Sequence, residues 1–363
     1  MGIWKCSMES MERLLDFYKG KTVLVTGHTG FKGSWLCHIL SLAGARVIGY
    51  ALMPPTSPSL FSLIDLEKRV DSFIGDIADL NSLKKVFDDY EPQIVFHLAA
   101  QPIVKASYKN PVYTYQTNVM GTVNVCECVR MSASVKSFVN ITTDKVYENK
   151  EWEWGYREND ILDGYDPYSN SKSCSELVTH SYKKSYFNDL DISVSTARAG
   201  NVIGGGDFAV DRIIPDCIRA VEKEIPIVVR NPNSIRPYQH VLEPLKVYLL
   251  IAMMQYKDKA YAGNYNVGPD ECDCVTTGEL VDIFCEQWGS GASWINKLVS
   301  GPHEANFLKL DCSRIKRAFN WQPVWHIEEA IARTIQWTKV YLNNGDIVGC
   351  MDCQIQDFFS KEN

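Results

Sequence analysis

The sequence predicts an α/β protein that contains a doubly wound parallel sheet and a smaller mixed α/β C-terminal domain. Three observations lead to this prediction. Short apolar runs alternate with helical segments through the first half of the chain. The runs are continuous rather than alternating, as expected of strands buried on both faces. A glycine turn joins the first run to its helix, which is the arrangement of a Rossmann-type nucleotide-binding unit.

Composition and charge narrow the possible functions. The chain has 363 residues, of which 45% are hydrophobic and 22% are charged, as in an ordinary globular protein. Its net charge of −7 gives no basic excess for neutralising phosphates, so we expect no nucleic-acid partner. No apolar run approaches the roughly 18 residues of a membrane span, and the first residues lack a signal-peptide core. These features favour a cytoplasmic protein without a membrane partner.

The chain contains 12 cysteines, a number that raises the question of disulfides or a metal site. Cys350 and Cys353 form the only Cys-x-x-Cys pair, and no second pair lies nearby to complete a zinc site. We therefore expect scattered reduced thiols and no bound metal.

The glycine turn lies between an apolar strand at residues 21–26 and a helix that is predicted to end near residue 43. Gly27, Gly30 and Gly33 would let the backbone wind tightly and approach a diphosphate at the helix N-terminus. Their spacing is Gly-x-x-Gly-x-x-Gly, which differs from the usual Gly-x-Gly-x-x-Gly fingerprint. No carboxylate occurs between Asp16 and Asp65, so the usual partner of the adenosine ribose is missing. The turn predicts a dinucleotide cofactor but does not distinguish NAD from NADP.

Further strands and helices continue the alternation. Ligands of such sheets bind at the carboxyl ends of the strands, so residues that follow predicted strands are site candidates. Strands are predicted near residues 46–50, 73–74, 94–98, 137–141 and 193–197, and helices near 79–90, 112–131 and 327–341. The candidates at strand ends are Gly27, Asp76, Ala99, residues 142–145 and residues 198–201.

Tyr168 and Lys172 form the first catalytic candidate. Side chains at positions i and i+4 share one face of a helix, about 5–6 Å apart at Cβ. A free phenol has a pKa near ~10, and a neighbouring ammonium favours the phenolate. The pair therefore predicts a general base whose pKa is lowered by the lysine.

Thr143, Asp144 and Lys145 form the second candidate, directly after a predicted strand. The hydroxyl can hydrogen-bond a reacting alcohol, and the carboxyl and the amine can form an acid–base pair. Spacing alone does not decide which of the two is the acid. A loop rich in aromatic and charged residues separates this run from Tyr168, and it could either cover a polar substrate or be a surface excursion.

Seven segments occur together and in order: TGHTGFKGSW, GDI, HLAAQ, NVMGT, TTDKVYEN, YSNSK and RAGNVIGGGD. In these segments, from about Lys21 to about Trp337, the chain resembles the extended short-chain dehydrogenase/reductase family. The Asp144–Lys145 pair, the GHTGFKGSWL turn and the IRPYQHVLEPL segment are narrower signals, similar to the branch that acts on CDP-sugars. The dTDP-sugar branch typically carries Asp-Glu where this chain has Asp144 and Lys145.

The resemblance implies an NAD-dependent hydro-lyase that converts CDP-glucose to CDP-4-dehydro-6-deoxyglucose, in the deoxysugar biosynthesis that supplies lipopolysaccharide O-antigens. It implies that Tyr168 takes the proton of the C4 hydroxyl, that Thr143 shares this hydrogen bond, and that Lys172 holds the nicotinamide ribose. It further implies that Lys145 removes the C5 proton and Asp144 protonates the departing C6 hydroxyl.

The same resemblance implies the binding residues and the organisation of the chain. Residues 1–200 would form the NAD-binding domain and residues 201–363 the nucleotide-sugar domain, with strands near 235–268 returning to the first. A homodimer is implied as well. Besides Tyr168 and Lys172, the implied cofactor contacts are Gly27, Gly30, Phe31, Gly33, Asp76, Ile77, Leu98, Ala99, Ala100 and Gln101. The implied substrate contacts are Ser107, Asn201, Arg212 and Arg236. The tail after about Asn343 carries no motif, and we expect it and the first 18 or so residues to be appendages of the fold.

Other functions stay open at this point. A dTDP- or GDP-sugar dehydratase, or a nucleotide-sugar epimerase, would use the same scaffold. The Asp144–Lys145 pair argues against a simple epimerase, which needs no acid–base pair for elimination. A non-catalytic dinucleotide-binding protein would have little use for Tyr168, Lys172 and this pair together.

Overall fold

A computed structural model describes residues 14–289, 291–297 and 306–361. Its centre is a seven-stranded sheet in which all neighbouring strands are parallel. Its strands are β1 (Thr22–Thr26), β2 (Arg46–Ala51), β3 (Asp71–Ile74), β4 (Ile94–His97), β5 (Ser137–Thr143), β6 (Ser193–Ala199) and β10 (Asn264–Val267). The order across the sheet is β10-β6-β5-β4-β1-β2-β3, which confirms the predicted doubly wound α/β fold.

Four short strands form two further sheets in the second half of the chain. They are β7 (Val202–Ile203), β8 (Ile227–Val229), β9 (Gln239–His240) and β11 (Trp294–Asn296). β7 pairs with β9, and β8 pairs with β11. The chain therefore leaves the large sheet after β6 and returns to its edge at β10.

Helices cover both faces of the large sheet and build the second half. They are α1 (Phe31–Leu42), α2 (Leu60–Leu63), α3 (Leu80–Tyr90), α4 (Val104–Lys109), α5 (Pro111–Tyr115), α6 (Gly121–Met131), α7 (Pro167–Tyr182), α8 (Ile213–Glu222), α9 (Leu242–Lys257), α10 (Thr277–Trp288), α11 (Ser313–Phe319), α12 (Ile327–Leu342) and α13 (Ile347–Ser360). π-Helical turns at Gln116–Met120 and Lys183–Phe187 continue α5 and α7. Among the described residues, no helix is both long and apolar enough to cross a membrane.

Successive strand residues point to opposite faces, so the sheet separates two apolar cores. Val23 and Val25 lie in the core under α1 and α9, whereas Leu24 lies in the core under α3 and α6. α9 packs against β5 and β6 and contacts α1, and α7 packs on β5 beside α6. The two groups of helices thus reach the carboxyl edge of the sheet from opposite faces.

Three features differ from the sequence-based expectations. β6 extends to Ala199, so Arg198 is a buried strand residue and not part of the segment after the strand. The tail after Asn343 is not an appendage, because α13 buries Met351 and Phe358 in the core. Tyr18 is also in the core, where its hydroxyl donates to the Leu249 carbonyl, while residues 1–13 lie outside the described part.

Arg198 and Glu176 form a buried ion pair beneath the sheet edge. Their atoms Nη2 and Oε2 lie 2.8 Å apart, and each side chain is 1% exposed. The Arg198→Met variant leaves the carboxylate without its cation, so we expect unfolding free energy to fall by about 3–5 kcal/mol in chemical denaturation. Arg46→Met, which removes the exposed pair with Asp71, should cost less than about 1 kcal/mol. Equal losses in the two variants would contradict this assignment.

Candidate active site

A cleft of about 910 Å³ runs along the carboxyl edge of the large sheet. Because all seven strands are parallel, the residues after β1, β3, β4, β5 and β6 meet at this edge. The predicted site residues that line the cleft are Gly27, Gly30, Phe31, Gly33, Asp76, Ile77, Leu98, Ala99, Ala100, Gln101, Thr143, Lys145, Tyr168, Lys172, Asn201, Arg212 and Arg236.

Two of the predicted site residues are not brought to the cleft wall. Ser107 is fully buried on α4, where its hydroxyl donates to the Val104 carbonyl at 2.7 Å. Asp144 is also fully buried and lies behind its neighbours Thr143 and Lys145. Ser107 is thus not exposed to the cleft, whereas Asp144 is linked to the cleft through Thr143 and Lys145.

Tyr168 and Lys172 lie on the first two turns of α7. Asp166 caps this helix, because its carboxylate accepts hydrogen bonds from the Tyr168 and Ser169 amides, and Pro167 suits the first helical position. The Lys172 ammonium donates to the Ile141 carbonyl at 3.1 Å, at the end of β5. The two side chains therefore share the predicted helix face and are fixed to the sheet.

The protonation of the pair differs from the sequence-based expectation. Burial raises the pKa of Tyr168 to about 12, although a hydrogen bond to Thr143 and the charge of Arg212 oppose this shift. Burial also lowers the pKa of Lys172 to about 8 against the opposing charge of Glu176. Both groups are desolvated together, so the lysine holds its own proton more weakly than a free lysine and does not offset the effect of burial on the pKa of the phenol.

Thr143, Asp144 and Lys145 form a connected network at the end of β5. The Asp144 Oδ1 atom accepts from the Thr143 hydroxyl and from the Lys145 ammonium, each at 2.8 Å. Within the part of the chain that the structure describes, the Asp144 Oδ2 atom has no hydrogen-bond partner. Lys145 also donates to Asn201 at 3.0 Å, which holds its side chain toward the cleft. An ammonium and a carboxylate thus share one hydrogen bond beside Tyr168.

The glycine turn has the shape of a diphosphate cradle. Gly27 has a φ of +77°, and a Cβ there would lie 2.8 Å from the Ala99 nitrogen. A Cβ on Gly33 would lie 2.1 Å from the Gly27 carbonyl oxygen. Gly30 is the N-cap of α1, and no side chain of the described residues caps this helix, so its first amides are open toward the cleft. Only glycine allows this approach of backbone to backbone, and the open amides suit an anionic ligand.

The walls beside the turn come from the ends of β2, β3 and β4. Asp76 accepts from the Ala78 amide at 2.9 Å, so part of its carboxylate is used in a local turn. Gln101 is held by the Thr114 hydroxyl and by the Ile103 amide. No acidic side chain follows β2, where Leu52 and Met53 line the cleft instead. This neutral wall agrees with the missing ribose carboxylate in the sequence.

Arg212 and Arg236 lie on the opposite side of the cleft. Arg212 precedes α8 and pairs with Asp207 at 2.8 Å, and Arg236 donates to the Ile235 carbonyl at 2.9 Å. Asn201 accepts a hydrogen bond from Lys145 and is also hydrogen-bonded to the hydroxyl oxygen of Tyr238. These residues place two guanidinium groups at the far end of the cleft, a side-chain type that suits a second phosphate group.

Lys32 is a cleft residue that the sequence analysis did not select. It follows Phe31 in the first turn of α1 and lines the cleft.

Within the described residues, Cys272, Asp273 and His326 form a further cluster, whose ligand atoms lie within 4.8 Å of one another. Asp273 accepts from the Ile327 amide at 3.0 Å, so this cluster has a structural role as the cap of α12.

Comparison with known proteins identifies the family. A sequence model described as GDP-mannose 4,6 dehydratase matches residues 24–334. The chain belongs to this family. The match confirms the resemblance to the extended short-chain dehydrogenases/reductases, because this is one of their dehydratase families.

Individual relatives agree with this membership. The chain is 47% identical over 351 residues to a CDP-glucose 4,6-dehydratase of Salmonella typhimurium, with 95% of this chain and 98% of the relative covered. A solved structure of the epimerase Mth375 from Methanothermobacter thermautotrophicus superimposes with a TM-score of 0.78 at 23% identity, covering 92% of this chain and 96% of the other. A dTDP-glucose 4,6-dehydratase of Bacillus anthracis, solved with NAD, gives 0.74 at 22% identity, covering 92% and 100%. These two structures share the fold of this dehydratase-family chain.

Proposed function

We propose that this chain is an NAD-dependent hydro-lyase that converts CDP-glucose to CDP-4-dehydro-6-deoxyglucose. The observation that carries the proposal is the Thr143–Asp144–Lys145 network beside Tyr168, which supplies a base for oxidation and an acid–base pair for elimination in one cleft. The 47% identity to the Salmonella typhimurium enzyme supports CDP-glucose over other nucleotide sugars.

Tyr168 is proposed to begin the reaction by taking the proton of the C4 hydroxyl. Its phenol is hydrogen-bonded to Thr143. In the complex, the Thr143 hydroxyl would hydrogen-bond to the substrate oxygen instead. A phenol with a pKa of about 12 is a weak source of phenolate at neutral pH. Positive charge from bound ligand and from Lys172 must therefore lower this pKa in the complex. Lys172 would also hold the nicotinamide ribose.

The residues of the glycine turn and its neighbouring walls fit NAD. The cradle of Gly27, Gly30 and Gly33 would hold the diphosphate, as the backbone approach and the open helix amides suggest. When bound, NAD would supply the hydride acceptor for C4 and return the same hydride to C6. The solved dehydratase of Bacillus anthracis, which holds NAD, supports this cofactor.

The 4-keto group then acidifies the C5 proton, and the Asp144–Lys145 pair would carry out the elimination. A proton moves from the Lys145 ammonium to Asp144 along their 2.8 Å hydrogen bond, giving a neutral amine and a carboxylic acid. The amine removes the C5 proton, and the acid protonates the C6 hydroxyl, which leaves as water. Movement of Lys145 toward C5 uncovers Asp144. When the hydride returns to C6, the Lys145 ammonium would give a proton back to C5. The proton that Tyr168 took from the C4 hydroxyl passes to solvent and replaces the one lost in the water, so the net change is the loss of one water.

Arg236 is proposed to bind the diphosphate of the nucleotide sugar, together with Arg212 and Asn201. This contact forms equally in the bound substrate and in the transition state, so its loss weakens uniform binding. For Arg236→Ala we expect KM for CDP-glucose to rise about tenfold or more, with kcat changed less than about threefold. Steady-state kinetics measures KM and kcat for this variant. The control is Arg230→Ala, which removes another arginine that lines the cleft. An unchanged KM in Arg236→Ala would place the phosphates elsewhere.

We further propose a cytoplasmic homodimer that acts in deoxysugar biosynthesis for lipopolysaccharide O-antigens. The absence of a membrane-spanning helix among the described residues is compatible with a cytoplasmic location. The exposed apolar residues Val112, Tyr113 and Met120 lie on the α5–α6 segment, which is a candidate for helix-mediated association.

The decisive experiment is an activity screen with the purified protein and added NAD. CDP-, dTDP-, GDP- and UDP-glucose, with GDP-mannose, are supplied separately, and mass spectrometry tests each product for loss of one water. We expect this loss with CDP-glucose. Loss of water from another sugar alone would keep the mechanism and discard the substrate. An isomer without mass change would turn the proposal toward an epimerase.

A further inference from the structure

Lys32 is a half-buried lysine in the cleft that the proposed reaction does not use. Its Nζ atom donates to the Tyr248 hydroxyl at 3.4 Å and lies 5.7 Å from the centre of that ring. Tyr248 is completely buried on α9. The lysine is therefore anchored to a neutral phenol, while its charge faces the cleft.

Charged groups surround Lys32 from several walls of the cleft. Burial, together with the charges of Arg212, Lys172 and Lys145, lowers its pKa to about 7, whereas the charge of Asp144 opposes this shift. These residues belong to the edge of α8, to α7 and to the end of β5. The Lys32 ammonium is thus one of four cations that converge on the reaction centre.

Two tyrosine–lysine pairs bracket this centre from opposite faces of the sheet. Tyr168 and Lys172 come from α7, which packs on one face beside α6. Lys32 and Tyr248 come from α1 and α9, which pack together on the other face. Lys32 stands between Gly30 and Gly33 of the glycine turn and lines the same cleft as Tyr168. It is therefore placed beside a cofactor whose diphosphate rests on the turn and whose ring reaches Tyr168.

The two oxidation states of nicotinamide differ in charge. The oxidised ring is a cation and the reduced ring is neutral, so a nearby ammonium disfavours only the oxidised form. We propose that Lys32, held by Tyr248, is a positioning charge that shifts the bound cofactor toward its reduced form and so favours oxidation at C4. This inference rests on the proposed function, because it takes NAD as the cofactor.

The test compares the affinities of the protein for NAD⁺ and NADH. Bound cofactor is exchanged against mixtures of the two at about pH 6, where Lys32 is charged, and at about pH 9, where it is neutral. In Lys32→Met we expect the ratio of Kd for NAD⁺ to Kd for NADH to fall about tenfold at the lower pH. At the higher pH, the wild type and this variant should give the same ratio.

Lys32→Arg is the matched control, since guanidinium keeps its charge throughout this pH range. At about pH 6 its ratio should match that of the wild type, and at about pH 9 it should exceed the wild-type ratio, because only the guanidinium is still charged there. A purely structural role would weaken both cofactors equally and leave the ratio in Lys32→Met unchanged, which overturns the inference. If Lys32→Met does not fold, Lys32→Gln replaces it. A wild-type ratio of Kd for NAD⁺ to Kd for NADH that is equal at both pH values overturns the inference as well. A wild type that binds neither cofactor would instead overturn the proposed function.

Discussion

The Tyr168→Phe variant is expected to lose catalysis while keeping its ligands. Removing the hydroxyl leaves no group in place to take the C4 proton, and general-base catalysis is worth roughly 10²–10⁴-fold in rate. We expect kcat to fall at least about 10³-fold. The aromatic ring stays on α7, so its packing beside Thr143 in the cleft wall is largely preserved. Product formation by mass spectrometry and calorimetric binding of CDP-glucose measure the two effects separately.

A matched control for this variant is Tyr165→Phe. Tyr165 also lines the cleft, but its side chain is 77% exposed, whereas Tyr168 is 8% exposed. Loss of its hydroxyl should change kcat by less than about threefold. Normal turnover in Tyr168→Phe would remove this tyrosine from the role of the base. A matching loss of CDP-glucose binding would instead assign it to substrate affinity.

Lys145→Ala is expected to separate oxidation from elimination. Tyr168 and Thr143 remain in place, so C4 oxidation continues, but no amine removes the C5 proton. We expect the rate of water loss to fall about 10³-fold or more. Reduced cofactor should therefore accumulate on the protein in near-stoichiometric amount when CDP-glucose is added. Its near-ultraviolet absorbance and the mass of the bound sugar report the two steps independently.

Two further measurements make the Lys145 result specific. Lys150→Ala, which changes an exposed lysine in the following loop, should leave both steps unchanged. In deuterated water, Lys145→Ala should show no exchange at C5, because the base is missing. Full dehydration, or C5 exchange at the normal rate, would reject Lys145 as the base and would favour Asp144 or water in that role.

Several parts of this protein could be predicted from the sequence because they are local. The continuous apolar runs specify strands buried on both faces, and the glycine turn requires backbone conformations that few residues adopt. The i, i+4 spacing places Tyr168 and Lys172 on one helix face wherever that helix lies. Because parallel strands all end at one edge, the sequence also predicted that Thr143, Lys145 and Asn201 would meet.

Tertiary structure decided what depends on solvent exclusion and on long-range contacts. The pKa of Tyr168 is raised rather than lowered, since burial of both the phenol and Lys172 outweighs their local spacing. Ser107 lies off the cleft because α4 turns it inward. In the sequence, Lys32 is one polar residue in a glycine turn. Only the packing of α1 against α9 brings it to Tyr248 and into the reaction centre. Desolvation and distant neighbours set the charges of this site, and neither can be read from adjacent residues.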